Sequence, residues 1–126
     1  MVDSSISFKL LSLNVKGFRN SKKRKKLLNW LNSHGLKEGV AGIQEMHGTA
    51  DIEGKWCSQF RGRIIFANGT SNSRGVAILF GENLDYEIEL EHGDPSGRFL
   101  IIQSTIQSER FLLVNYYAPN DEKNDF

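Results

Sequence analysis

The sequence predicts an α+β fold built around a mixed or mainly antiparallel sheet. Three observations lead there. Short β-branched and aromatic runs recur between turn signals. Only one segment carries apolar residues at helical spacing. Strand-like runs then dominate the second half of the chain.

Each element has a local reason. Ile6 to Val15 reads as a strand with Phe8, Leu10 and Leu13 as its apolar positions, ending at Lys16-Gly17. Ser21 is the expected cap of the helix that follows. Leu27, Leu28, Trp30 and Leu31 recur at helical spacing, and Gly35 stands where a helix stops. Val40 to Gln44 is a short buried strand. Gly48 to Arg61 reads as a long loop anchored by Trp56 and Phe60. Arg63 to Ala67 is a strand, and Asn68 to Ser73 is a loop by composition. Gly75 to Phe80 is a buried strand, and Tyr86 to Leu90 alternates like a half-exposed one. His92 to Gly97 is a turn around Asp94-Pro95. Phe99 to Ile106 and Arg110 to Tyr117 pair antiparallel across Gln107-Ser108-Glu109. Asn120 to Phe126 is a polar tail. The sum is about seven strands and one helix.

Composition narrows the function classes. A chain of 126 residues is one domain, since domains run about 100–150 residues. Apolar residues at 39% suffice for a core and argue against global disorder. Sixteen Lys and Arg against fifteen Asp and Glu give a net charge of +1, so only local clustering can speak for nucleic acid. The single Cys57 excludes a disulfide framework and a multi-cysteine zinc site. No apolar run approaches the ~20 residues that span a bilayer, and Met1 to Ser5 lacks the basic start of a signal peptide. An intracellular setting, nuclear or cytoplasmic, is expected.

Polar residues stand at strand ends: Asn14, Glu45, and then Asn115, Tyr117 and Asn120. Sheet proteins place binding groups there. Oxygen ligands such as Glu45 and the Asn14 amide suit a hard cation. Taken singly, each also has a plain reading as a turn former, a solvated carboxylate or half-buried packing. Lys22-Lys23-Arg24-Lys25-Lys26 is the one local concentration of charge. It reads as a solvated helix start, as a contact for a phosphate backbone, or as a nuclear-import signal. His47, two residues after Glu45, reads as a loop residue. Asn68-Gly69-Thr70 matches a glycosylation acceptor, which a chain without a secretory signal does not use.

Four segments occur in order: Leu11-Ser-Leu-Asn14-Val-Lys-Gly, Ile43-Gln-Glu45-Met-His, Ser73-Arg-Gly75-Val-Ala-Ile-Leu, and Leu113-Val-Asn115-Tyr-Tyr117-Ala-Pro-Asn120. Together they resemble the N-terminal half of the endonuclease/exonuclease/phosphatase superfamily. The nearest resemblance is to the apurinic-endonuclease-like domains of non-LTR (LINE-type) retrotransposons. It covers about residues 8–120, so residues 1–126 are read as a partial domain.

The resemblance implies one half of a four-layer αββα sandwich, and cleavage of phosphoester bonds in DNA with Mg²⁺ or Mn²⁺. By position, Asn14 resembles the family's first-strand Asn, and Glu45 its metal-binding Glu. Tyr117 resembles the Tyr at the scissile phosphate, and Asn120 the Asn just after it. Arg98 resembles a backbone-contacting Arg, and Lys22, Lys23 and Arg24 join it as expected nucleic-acid contacts. Glu45 and Asn14 are the expected metal ligands.

The chain departs from the pattern at Gly39, at Met46, and in having no Asp-x-Asn or Ser-Asp-His motif. Those absent Asp and His residues activate water in the family, so this chain alone is expected to be inactive. The alternatives are another branch of the superfamily, a repair nuclease or phosphatase, or a non-catalytic nucleic-acid-binding remnant. Val76, Ile78, Phe80, Ile101, Leu112 and Val114 are candidates for a sheet face that packs on a second sheet. Left wet, each forfeits ~1.5–3 kcal/mol. The isolated chain is therefore expected to be marginal, to self-associate, or to depend on a missing C-terminal half.

Overall fold

The structure, a computed structural model, describes residues 7–17, 19–47, 49–69 and 74–117. Its first strand, β1 (Lys9–Asn14), leads through helix α1 (Ser21–Ser33) and a 3-10 turn (Leu36–Glu38) to β2 (Gly39–Gln44). Helix α2 (Ala50–Gln59) follows, then β3 (Arg63–Ala67), β4 (Val76–Phe80), β5 (Tyr86–Gly93), β6 (Phe99–Ile106) and β7 (Glu109–Tyr116). The strands form two sheets, ordered β1-β2-β4-β3 and β5-β6-β7. β1 and β2 are parallel; the other pairings are antiparallel.

Alternation on the first sheet explains its two cores. Ala41 and Ile43 of β2 and Ala77 and Leu79 of β4 face the helices, where they meet Leu28, Leu31, Ile52 and Trp56. Val40, Val76, Ile78 and Phe80 point the other way and meet Leu100, Ile102 and Ile106 of β6. Helices, first sheet and second sheet therefore form three successive layers. At ~1.5–3 kcal/mol for each large side chain buried, these two cores hold the layers together.

The strands fall close to where the sequence puts them, with the second half of the chain nearly as predicted. The turn between β6 and β7 is the two-residue Gln107-Ser108, both at positive φ (51° and 72°). That twist suits a tight hairpin. Four expectations need correction. The segment read as a loop from Gly48 to Arg61 is largely α2, and its expected anchors Trp56 and Phe60 are indeed buried. Asn20, not Ser21, caps α1, accepting the Lys23 N–H at 3.0 Å. β5 runs on to Gly93, three residues beyond its predicted end at Leu90.

The expected inner face is right on β4 but out of phase on β6, where Leu100 and Ile102 rather than Ile101 are buried, and on β7. Leu113 packs between the sheets with Leu100 and Ile102, whereas Leu112 and Val114 are 66% and 60% exposed. Both sheets are present in this one chain, so Val76, Ile78 and Phe80 are covered rather than wet.

Candidate functional site

The parallel pairing of β1 and β2 builds the centre of the site. Asn14 lies opposite Gln44, so the next residue, Glu45, emerges beside Asn14 at the same end of the sheet. The Asn14 Nδ2 donates to Glu45 Oε2, and the Asn14 Oδ1 accepts the Lys16 N–H at 3.1 Å. Glu45 keeps its second carboxylate oxygen outside that bond. The backbone here is unusual. Lys16, Glu45, His47 and Arg74 all adopt positive φ, between 51° and 62°, without being glycine. Such conformations cost free energy and persist where surrounding bonds enforce them. Here the Gly17 N–H donates to the Glu45 carbonyl (2.6 Å), and the Met46 and His47 N–H groups donate to Gly75 and Arg74 carbonyls (3.0 and 2.9 Å).

The second sheet brings Tyr117 to the same place. The Tyr117 N–H donates to the Arg98 carbonyl at 2.6 Å, which fixes the chain as it leaves β7. Arg98 is held in turn by the Asp94 turn: Asp94 Oδ2 accepts the Arg98 N–H and the Ser96 hydroxyl, each at 3.0 Å. Desolvation works against the Asp94 charge, but these donors outweigh it and hold the carboxyl below its ordinary range. Asn14, Gln44, Asn115, Tyr116 and Tyr117 then line one open depression of about 380 Å³.

Asn115 makes the junction between the sheets. Only 5% exposed, it donates its side-chain amide to the Ile43 carbonyl (3.0 Å) and the Ala77 carbonyl (2.8 Å). Its Oδ1 accepts from Gln44 Nε2 at 2.6 Å. Gly42 stands where it does for this reason, because a Cβ there would come within 3.3 Å of the Asn115 side chain. The sequence shows Asn115 as a strand-end polar residue but not as this bridge. In the structure it follows Phe111 and Leu113 on the inward side of β7, a phase that the unbroken apolar run before it does not reveal in the sequence.

The basic run divides three ways. Lys22 is exposed. Lys23 keeps its stem on the surface while its ammonium donates to the Val15 carbonyl at 2.8 Å, steadying the turn after β1. Arg24 is 2% exposed, which corrects its expected role as a nucleic-acid contact. Its guanidinium donates to Gln59 Oε1 (2.8 Å) and to the Arg19 carbonyl (2.6 Å), joining α1 to α2, and burial lowers its pKa. Arg19 adds a surface link, donating to Thr49 (2.8 Å) and Asp51 (3.0 Å). The Thr49 hydroxyl and then Arg19 hold the Asp51 carboxyl below its usual range. Arg98 has an exposed side chain, and Asn120 lies outside the described residues.

Among the described residues no three His, Cys, Asp or Glu side chains gather as a metal cluster. Glu45 with the Asn14 amide is therefore a partial donor set. That suits a cation such as Mg²⁺, which keeps several waters and takes one or two protein carboxylates. No helix among the described residues is long and apolar enough to cross a membrane.

No family model matches the chain. Over 114 residues, 90% of its length, it is 29% identical to the transposon TX1 uncharacterized 149 kDa protein of Xenopus laevis, of which the match spans 9%. Its structure resembles the AP endonuclease LMAP from Leishmania major, with a TM-score of 0.64 at 18% identity, over 87% of this chain and 40% of that one. It likewise resembles a truncated Caenorhabditis elegans TDP2, with a TM-score of 0.64 at 15% identity, over 90% of this chain and 47% of that one. The chain shares its fold with these two solved chains, over less than half the length of each.

Proposed function

We propose that this chain carries the first part of a divalent-metal-dependent phosphodiesterase site that acts on DNA, of the retrotransposon type. The carrying observation is the Asn14–Glu45 pair, set by parallel strands at the rim of a depression that also includes Tyr117. Similarity to a transposon protein supports the retrotransposon branch. Glu45 is the residue that would hold Mg²⁺ or Mn²⁺. Bound there, the cation supplies charge for a phosphoryl oxygen. Asn14 orients the carboxylate, while Tyr117 and Asn120 serve as hydrogen-bonding groups toward a phosphate.

The chain contains no Asp-x-Asn or Ser-Asp-His motif to activate water, so the reading assigns that task to residues outside these 126. The open sides of β1 and β7 support this. Each is an edge strand among the described residues, and Leu10, Leu112 and Val114 line a groove of about 370 Å³ between them. Solved chains of this fold extend well beyond the matched part. The groove is read as the surface against which the C-terminal half packs.

The test is calorimetric titration of Mg²⁺ into the chain and into Glu45→Ala. Saturable binding that the substitution abolishes is expected. No binding in either protein would remove Glu45 from the metal site.

A further inference from the structure

One groove stands apart from the depression around Tyr117. It lies between the end of β1 and one face of α1 and has a volume of about 410 Å³. Leu13, Val15 and Leu27 give it an apolar floor, and Asn14 joins it to the candidate site. Its helix side is Lys23, Lys26, Leu27 and Trp30. Positions 23, 26, 27 and 30 fall on one helical face, so the sequence places two ammonium groups and an indole in a row. Trp30 is 46% exposed. It is braced by stacking on His34, with ring centroids 4.0 Å apart and planes 25° from parallel.

The surroundings are basic. The first turn of α1 has no acidic residue, and Lys22, Lys25 and Lys26 are all exposed. Positive charge at a helix N-terminus is unfavourable to the helix itself, since the helix dipole is already positive there. A bound anionic strand offsets that cost. A flat apolar wall, a braced indole and flanking ammonium groups are the combination that takes a stacked base and its phosphate. The groove volume lies within the range of small-ligand sites.

We infer that this groove is a nucleobase subsite. In it Trp30 stacks on a base of a DNA strand whose neighbouring phosphate meets Lys26, while the scissile region lies toward Asn14. Lys23 plays a lesser part, because its ammonium already serves the Val15 carbonyl. The inference rests on the proposed action on DNA, and it extends that reading by assigning a specific contact for an unstacked base. It predicts a preference for single-stranded or locally opened DNA over an intact duplex.

The test needs no metal and no turnover. The chain has two tryptophans, and Trp56 is fully buried, so its emission reports on the fold while Trp30 reports on the groove. A short single-stranded oligodeoxynucleotide and its duplex are titrated at low salt in EDTA, following tryptophan emission and the anisotropy of a labelled strand. The single strand is expected to quench emission saturably. Trp30→Phe should remove the quench while keeping most of the affinity. Trp30→Ala should weaken binding by about tenfold, the scale of one lost stacking contact. Lys26→Gln should weaken binding and flatten its salt dependence.

Binding without a quench, or unchanged binding by Trp30→Ala with Trp56 emission intact, overturns the subsite and leaves the action on DNA standing. An equal preference for the duplex also overturns it. No binding of either DNA at low salt removes both the subsite and DNA as the partner, while the magnesium titration still judges the metal site separately.

Discussion

Gln44 donates its side-chain amide to the Asn115 Oδ1 at 2.6 Å, tying the residue before Glu45 in one sheet to the residue two before Tyr117 in the other. The Glu45 side and the Tyr117 side of the candidate site thus share one hydrogen-bond junction at the buried Asn115. Burying a polar group is unfavourable unless its bonds are made. Asn115 makes three, to Gln44, Ile43 and Ala77.

Substituting Asn115 should therefore be costly. Asn115→Ala leaves two buried carbonyls without their donor, and a loss of about 2–4 kcal/mol is expected. Asn115→Asp keeps the shape but sets a carboxylate against the Ile43 and Ala77 carbonyls. Its folded-state pKa should rise, so this variant should lose stability as pH rises and recover as pH falls toward the carboxyl's protonation. Urea melts of wild type and both variants across pH measure this. Equal stability of Asn115→Ala and wild type would refute the junction.

Arg24 and its lysine neighbours should separate cleanly by assay. Arg24 is buried and joins α1 to α2 through Gln59 and the Arg19 carbonyl. Arg24→Ala should destabilise the fold by about 2–4 kcal/mol, the scale for leaving two buried acceptors without their charged donor. Lys22→Gln and Lys25→Gln should leave the melting temperature nearly unchanged. If the basic run meets DNA, each should also lower the salt slope of binding by about one unit. Thermal melts beside binding measured over a salt series distinguish the two behaviours.

What the sequence made legible follows from how strongly each pattern is determined locally. β4, as Val-Ala-Ile-Leu-Phe, is apolar on both faces because it has helices on one side and a sheet on the other. The order Asn14, Glu45, Tyr117 was readable because each ends a strand. Helix α2 was not, because Gly54 interrupts it and its apolar residues are few. The available signal was the spacing of Ile52, Trp56 and Phe60, with Asp51 and Glu53 in the first turn. The phase of β7 also escaped, since Leu112, Leu113 and Val114 form an unbroken apolar run. Only the pairing of Leu113 with Ile102 shows which of them points inward. Arg24 was misplaced for a different reason. A run of five basic residues gives no hint of which one turns under the helix.

The apolar rim should govern association. Leu10 on β1 and Leu112 and Val114 on β7 are 68%, 66% and 60% exposed along the open edges of the two sheets. Unpaired strand edges beside apolar side chains invite pairing with another chain. Val114→Lys should lower the tendency to associate without lowering the melting temperature, because it removes no buried contact. Sedimentation velocity over a range of concentrations measures it, and a wild-type chain that stays monomeric throughout would refute the idea.

Acid should loosen the Tyr117 end of the site through Asp94. The Asp94 carboxyl is held below its ordinary range in the folded chain, where it accepts the Arg98 N–H and the Ser96 hydroxyl. A carboxyl with a depressed folded-state pKa contributes stability above its unfolded value of roughly 3.9 and loses it as pH falls through the folded value. The contribution is therefore complete at neutral pH and fades only below about pH 4. Asp94→Asn keeps the oxygen acceptor but removes the titration, so the acid limb of its stability profile should be shallower. The Arg98 carbonyl receives the Tyr117 N–H, so the same turn should loosen locally as Asp94 is protonated. Amide exchange at Tyr117, followed from neutral pH into acid, should rise beyond the intrinsic pH trend in wild type and less so in Asp94→Asn. Identical exchange profiles would show that the turn holds Arg98 by its backbone alone.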